Sequence, residues 1–335
     1  MIITRTPFRI SFFGGGTDYP AWYREHGGRV LSTSINKYGY TTVRHLAPFF
    51  DHKYNIRYRQ QEEAKTIEDI KHPSVRECLK YVGEKNGLEV NYSADLPAMS
   101  GLGSSSAFTV GFLHALYGLQ NKPVTKYQLA RDAITVEQER IGENVGSQDQ
   151  TVAAFGGFNK IEFGGEQEIS VSPLAIDSRK LRSLQDRLML FFTGFQRNAS
   201  EIAGEQIKNM PRLGRELRIM GSFVDDAVTH LTSHGELSDD FGKLLDESWR
   251  IKRSLSSRIT TQFVDDMYET ARRSGALGGK LLGAGGGGFM LLYVSPEKQE
   301  KVRDALRKAL YVPLQFENQG STIVYQMPAE EAHCS

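Results

Sequence analysis

PAMSGLGSSSA, residues 97–107, combines small residues that leave backbone N–H groups unobstructed with three consecutive hydroxyls. Gly101 and Gly103 let the main chain approach an anion closely, and Ser104, Ser105 and Ser106 add hydroxyl donors or a metal ligand. Directly behind them Phe108, Phe112, Ala115, Leu116 and Leu119 fall at helical spacing. The loop therefore opens onto a helix N-terminus, whose unpaired N–H groups and dipole favour negative charge. This pattern predicts a phosphate cradle, with a Gly/Ser-rich surface turn as the alternative. No Lys follows the second glycine, so it is not a Walker A loop.

The composition sets outer limits on what such a cradle serves. A chain of 335 residues has room for one large or two ordinary domains. Lys plus Arg total 41 against 40 for Asp plus Glu, so net charge makes no case for a nucleic-acid or membrane partner. The longest apolar runs fall far short of a bilayer span, and the N-terminus reads as a strand rather than a signal peptide. Cys78 and Cys334 lie far apart, the eight histidines are scattered and there is no CxxC. The expectation is a soluble, cytoplasmic protein of a reducing compartment without a structural zinc site.

Upstream of the cradle, Phe8, Ile10 and Phe12 alternate with Arg9, Ser11 and Phe13, which predicts a half-buried strand with Arg9 and Ser11 on the opposite face. It runs into Gly14, Gly15 and Gly16, a hard turn that delivers Thr17 and Asp18 to a defined place or is simply capped by Asp18. Residues 29–46 are rich in β-branched and aromatic side chains and read as more strands. Residues 51–71 are polar and read as an exposed hairpin or loop with a solvated face. A helix is expected over 74–87 and a short strand over 90–94.

Downstream, Thr125 with Gln128 makes a capping box that opens a second helix. On it Ala130, Ala133, Ile134, Glu137 and Ile141 share one face, so Glu137 stands where an apolar residue belongs. A carboxylate there is costly unless paired or metal-bound, which makes Glu137 a candidate magnesium ligand or a member of a structural ion pair. Twelve residues later a glycine-punctuated polar loop carries Asp149, either a structural residue or an acceptor for an alcohol proton. The texture changes from Asp186, placing a domain boundary between residues 178 and 186. Beyond it come a strand at 188–192 and helices over 199–210, 213–231, 241–255 and 263–273. Residues 278–288 are dense in glycine between two apolar strands, which implies close approach by a ligand or another backbone, or a flexible hairpin. An amphipathic helix over 296–310, strands over 313–326 and a disordered polar tail complete the chain.

Taken together, three of these stretches resemble the GHMP kinases, named for galactokinase, homoserine, mevalonate and phosphomevalonate kinases. The family's motifs are matched in order by TPFRISFFGGGTDYP (6–20), PAMSGLGSSSA (97–107) and LLGAGGGGF (281–289). Within the family, residues 5–28 and 275–290 are similar to D-glycero-D-manno-heptose 7-phosphate kinases of bacterial glycan synthesis, and fucokinase domains share much of the pattern. The resemblance implies an α+β fold of two domains. A ribosomal-S5-like N-terminal domain would span 1–182, a ferredoxin-like C-terminal domain 183–328 and a polar tail 329–335, with the active site between the domains.

The same resemblance implies the chemistry: ATP and Mg2+ as cofactors, and transfer of phosphate to the anomeric hydroxyl of a sugar phosphate. ATP would lie on Pro97, Ser100, Gly101, Leu102, Gly103, Ser104, Ser105 and Ser106, with Ser105 and Glu137 as metal ligands. Asp149, in the family's G-x-x-D-Q context, is the expected base and Arg9 its partner. Gly15, Gly16, Thr17, Asp18, Gly285 and Gly286 would meet the sugar. Gly14, Gly15 and Gly16 replace the Gly-Glu-His of galactokinases, which argues against a galactose site. A 7-phosphate needs cations, and Arg24, Arg44, His45, Arg197 and Lys208 are available. Arg197 is the best placed of these, beside an expected helix start. A homo-oligomer is compatible with this reading. Two others remain: a kinase of an unphosphorylated sugar, and a sensor that binds sugar and nucleotide without catalysis, against which Asp149, Arg9 and Glu137 count.

Overall fold

The computed structural model describes residues 1–165, 168–194 and 199–327. Arg197 and the expected tail at 329–335 lie outside them. In chain order, the first part comprises β1 (Ile2–Phe13), α1 (Pro20–His26), β2 (Gly28–His45), β3 (Tyr54–Arg57), β4 (Gln61–Ala64) and α2 (Pro73–Val82). It continues through β5 (Leu88–Ala94), α3 (Ser104–Leu119), α4 (Lys126–Thr135), α5 (Gln148–Phe155), β6 (Phe158–Phe163) and β7 (Ile169–Pro173). There follow α6 (Ser178–Asp186), β8 (Leu188–Phe192), α7 (Ala199–Asn209), α8 (Gly214–Thr232), α9 (Asp240–Ser254) and α10 (Gln262–Ser274). The last elements are β9 (Gly278–Leu281), β10 (Phe289–Tyr293), α11 (Gln299–Ala305), β11 (Leu310–Val312), β12 (Phe316–Glu317) and β13 (Thr322–Gln326).

The architecture is α+β. One sheet runs β13-β1-β2-β5-β3-β4, with β12 and β6 also on β2 and β7 on β6; the other runs β11-β8-β10-β9. β2 is a single 18-residue strand where several were expected, long enough to hold β1, β5, β6 and β12 along its length. β12 and β13 return to the first sheet, against β2 and β1, so residues 316–326 stand outside a contiguous 183–328 unit. We propose residue 183 as the point where the chain first leaves the first sheet's unit.

β1 corrects the expectation of a half-buried strand, because it is buried on both faces from Thr6 onward. Phe8, Ile10 and Phe12 enter the main core, while Arg9 and Ser11 are 3% and 4% exposed. Their face is the wall of a cleft, not a solvent surface. Phe12 and Phe13 meet Phe241 of α9 edge-on at centroid distances of 5.7 and 5.4 Å, so both halves of the molecule share one apolar core.

Other differences have local causes. The polar segment 51–71 is a hairpin as expected, but β3 pairs in parallel with β5, burying Tyr54 and Ile56. The helix expected over 296–310 is a 3-10 turn (Pro296–Lys298) followed by the short α11, and Leu310 opens β11, which pairs with β8. The Thr125 cap forms, its hydroxyl accepting from the Gln128 N–H at 3.1 Å. α4 then loosens into a π-helical turn, Val136–Ile141, that carries Glu137. No helix among the described residues is long and apolar enough to cross a membrane.

Candidate active site

The cradle loop reaches α3 through left-handed backbone at Gly101 (φ 80°) and at its cap Gly103 (φ 74°). The glycine-dense third stretch packs directly behind it. A Cβ on Gly101 would lie 2.4 Å from the Leu282 carbonyl oxygen, and one on Gly283 would lie 2.5 Å from the Gly101 Cα. Backbone on backbone leaves no side chain to move aside, so glycine is required on both partners.

Ser104, Ser105 and Ser106 line a cavity of about 840 Å3 together with Pro97, Gly101 and Gly103. Ser100 and Leu102 do not line it. Both are fully buried, and the Leu102 carbonyl accepts from the Arg9 N–H at 3.1 Å, so these two shape the loop from behind.

Arg9 crosses the cavity floor from β1. Its Nε donates to Asp149 Oδ1 at 2.8 Å and its Nη2 to Oδ2 at 2.7 Å, while Nη1 donates to the Gly101 carbonyl at 2.7 Å. The expected base and its arginine are thus joined by a bidentate, charge-assisted pair anchored to the cradle. Asp149 stands in the first turn of α5 rather than in the preceding loop, where helix N–H groups also favour its charge.

On the far side of Asp149 is the turn that leaves β1. Gly15, Gly16 and Asp18 line the cavity. Thr17 does not: its hydroxyl is bonded to the main chain of Gly14 and Arg29 and locks the turn. Asp18 is 3% exposed, and its Oδ1 accepts from the Gly16 N–H at 2.9 Å. Burial pushes its carboxyl up to about 6, the Gly16 N–H opposing and the neighbouring Asp149 charge adding to the rise. Gly146 admits Asp18, since a Cβ there would lie 1.9 Å from Asp18 Oδ2.

Glu137 is 1% exposed, and its Oε2 accepts from Ser106 Oγ at 2.8 Å and from the Gln150 amide. Its other oxygen, Oε1, is buried without a partner. Burial pushes this carboxyl up to about 7. The π-helical turn that carries it is a backbone form found frequently at functional sites. Among the described residues no cluster of three or more His, Cys, Asp and Glu is arranged for a metal. Oε1 is thus the oxygen of this carboxylate left free for a cation, although Glu137 stands behind Ser106 and does not itself line the cavity.

Gly285 and Gly286, expected at the sugar, do not line the cavity. They pack on the main chain of Ile259, with the Gly286 N–H donating to its carbonyl at 2.8 Å, and Gly283 and Ala284 line the cavity in their place. Arg44, one of the cations considered, pairs with Glu89 away from the cavity.

Two buried cations that sequence reasoning passed over line it, as does the exposed Arg59. Lys252 of α9 and Lys280 of β9 are 7% and 2% exposed. Burial lowers the Lys252 ammonium to about 8 and Lys280 well below the usual lysine range, Lys252 and Arg9 adding repulsion at Lys280. Lys252 was detectable, for it follows Leu245 by seven residues and Trp249 by three on the buried face of α9. It breaks that face as Glu137 breaks its own.

Another part of the cavity wall is aromatic. Tyr58 meets His72 edge-on at 4.7 Å, and Tyr92 meets Phe108 edge-on at 4.9 Å. These residues come from the hairpin, the α2 cap, β5 and α3, which no local motif links.

Family models match in two places: GHMP kinases N terminal domain over residues 71–157, and GHMP kinases C terminal over 236–312. Over 321 residues the chain is 33% identical to the D-glycero-alpha-D-manno-heptose 7-phosphate kinase of Campylobacter jejuni subsp. jejuni serotype O:2, covering 92% of this chain and 93% of that one. It is 27% identical to the bifunctional fucokinase/GDP-fucose pyrophosphorylase of Arabidopsis thaliana, covering 90% of this chain but 31% of that much longer one. A crystal structure of a D-glycero-D-manno-heptose 1-phosphate kinase from Bacteroides thetaiotaomicron superposes with a TM-score of 0.72 at 24% identity, covering 97% of this chain and all of that one. The likeness runs the length of the chain and includes both halves that wall the cavity, so this chain belongs to the GHMP kinases, as an ATP-dependent sugar kinase.

Proposed function

We propose that the chain transfers the γ-phosphoryl group of ATP to the anomeric C1 hydroxyl of D-glycero-D-manno-heptose 7-phosphate. The product would be the 1,7-bisphosphate, for nucleotide-activated heptose and bacterial surface glycan. The observation that carries the phosphoryl-transfer part of the reading is the Arg9–Asp149 pair, set between the N–H cradle at Gly101 and the Asp18 turn, and the heptose acceptor is supported by the likeness to the Campylobacter kinase. Asp149 accepts the C1 hydroxyl proton as O1 attacks the γ-phosphorus and ADP departs. Arg9 holds the carboxylate in place and offsets charge developing on the transferred group. Catalysis is then mainly positioning and electrostatics, as in phosphoryl transfer generally. Magnesium held by Glu137 and Ser105 would neutralise the β- and γ-phosphate oxygens. The aromatic wall around Tyr58, His72, Tyr92 and Phe108 suits a nucleobase.

The same residues would serve an anomeric kinase of an unphosphorylated sugar such as fucose, so the acceptor decides between the two. The test is magnesium- and ATP-dependent ADP release with D-glycero-D-manno-heptose 7-phosphate, the unphosphorylated heptose, fucose, galactose and mevalonate. The expected result is a kcat/KM at least about tenfold higher for the phosphorylated heptose, the scale of one lost charge-assisted contact. Preference for a free sugar would overturn the heptose assignment, and no ADP with any acceptor would favour the sensor reading.

A further inference from the structure

Lys252 and Lys280 are buried ammonium groups with no carboxylate partner among the described residues. Lys252 Nζ donates to the carbonyls of Leu281 at 3.2 Å and Gly283 at 2.5 Å, and Lys280 Nζ to that of Phe12 at 2.8 Å. An ammonium carries three donors. One N–H on Lys252 and two on Lys280 therefore remain at the cavity wall, three donors in all on two adjacent cations. Keeping two positive charges below one-tenth exposure, hydrogen-bonded to carbonyls and with the Asp18 and Asp149 carboxylates near them but outside ion-pair distance, is costly unless an anion arrives to balance them. The nucleotide has its own cradle at the start of α3, whereas Lys280 is tied to Phe12, three residues beyond Arg9 along β1. That is about 10 Å toward the Asp18 turn at strand spacing.

Resting on the sugar kinase reading above, we propose that Lys280 and Lys252 bind a phosphate already carried by the acceptor, making this pair the determinant that selects a phosphorylated sugar over a free one. Three unspent N–H donors match three terminal phosphate oxygens. The two lysines come from the second sheet and its α9, while Asp18 and Asp149 come from the first sheet's unit, so an acceptor held at both ends would bridge the two.

The experiment compares kcat/KM for D-glycero-D-manno-heptose 7-phosphate with that for the unphosphorylated heptose, in wild type and in Lys280→Met. The ratio of the two constants is expected to fall about 10- to 100-fold in the variant, the scale of charge-assisted bonds to phosphate. Lys252→Met, which breaks contacts within one half of the molecule rather than between halves, is the companion should Lys280→Met fail to fold, and the same fall is expected. A ratio that holds while both constants drop together would overturn the assignment and place the lysines on the transferred phosphoryl group. A wild-type enzyme indifferent to the acceptor's phosphate would overturn the heptose reading along with it.

Discussion

Asp149→Asn is expected to lower kcat by about 10²- to 10⁴-fold, the range attributable to a positioned general base, while ATP still binds. The amide keeps the size of the carboxylate and leaves α5 undisturbed, but it cannot take a proton from the acceptor. It also turns an NH2 group toward Arg9, whose Nε and Nη2 both donate to Asp149 in the native protein. One half of the bidentate pair becomes donor against donor, so Arg9 loses its fixed position as well. ATP binding is expected to survive because the cradle is also held by backbone packing of Gly101 against Leu282 and Gly283, and its one tie to Asp149 runs through Arg9 to the Gly101 carbonyl rather than through its N–H groups. ADP release measures the first effect and calorimetric titration with ATP the second. Turnover within a few-fold of wild type would remove Asp149 from the proton transfer.

Asp18→Asn is expected to weaken sugar binding and at the same time stabilise the fold. The carboxyl titrates near 6 in the folded protein against 3.8 ordinarily. Below 3.8 both folded and unfolded chains hold the proton, and Asp18 costs nothing. As pH rises from 3.8 to 6 the unfolded chain ionises while the folded site resists, so the wild type loses stability across that window. Above it the loss levels off at about 1–3 kcal/mol, allowing for the support that the Asp18 charge gives the Lys252 proton. Asn keeps the Gly16 N–H bond without the buried charge. Its stability advantage over wild type, from denaturant unfolding, should be near zero at about pH 3 and full at about pH 7, accompanied by a raised sugar KM. A variant less stable than wild type at pH 7 would show that Asp18 serves the fold rather than the sugar.

What could be read ahead of the structure depended on how local the signal was. The cradle, the β1 turn and the third glycine stretch are each contiguous, and Gly101, Gly16 and Gly283 stand at the cavity. Glu137 was legible because a carboxylate on an apolar helical face is anomalous, and it proved buried with an unpartnered oxygen. The errors arose where tertiary packing set the outcome. Glycine density in 281–289 signals close approach without saying by what; for Gly285 and Gly286 the neighbour is the Ile259 backbone, not the sugar. Thr17 looks like a delivered functional group until β2 supplies the Arg29 main chain that occupies its hydroxyl. The aromatic wall of the cavity draws on four separate elements and leaves no periodic trace, and Lys280 sits in a four-residue strand too short to show one.

The most direct measurement is the identity of the product: phosphorus-31 NMR of the reaction with ATP, magnesium and D-glycero-D-manno-heptose 7-phosphate. The account predicts one new sugar phosphate resonance coupled to the anomeric proton, formed in step with ADP while the 7-phosphate signal persists. Phosphate appearing on any other hydroxyl, or ADP accumulating with inorganic phosphate alone, would contradict it.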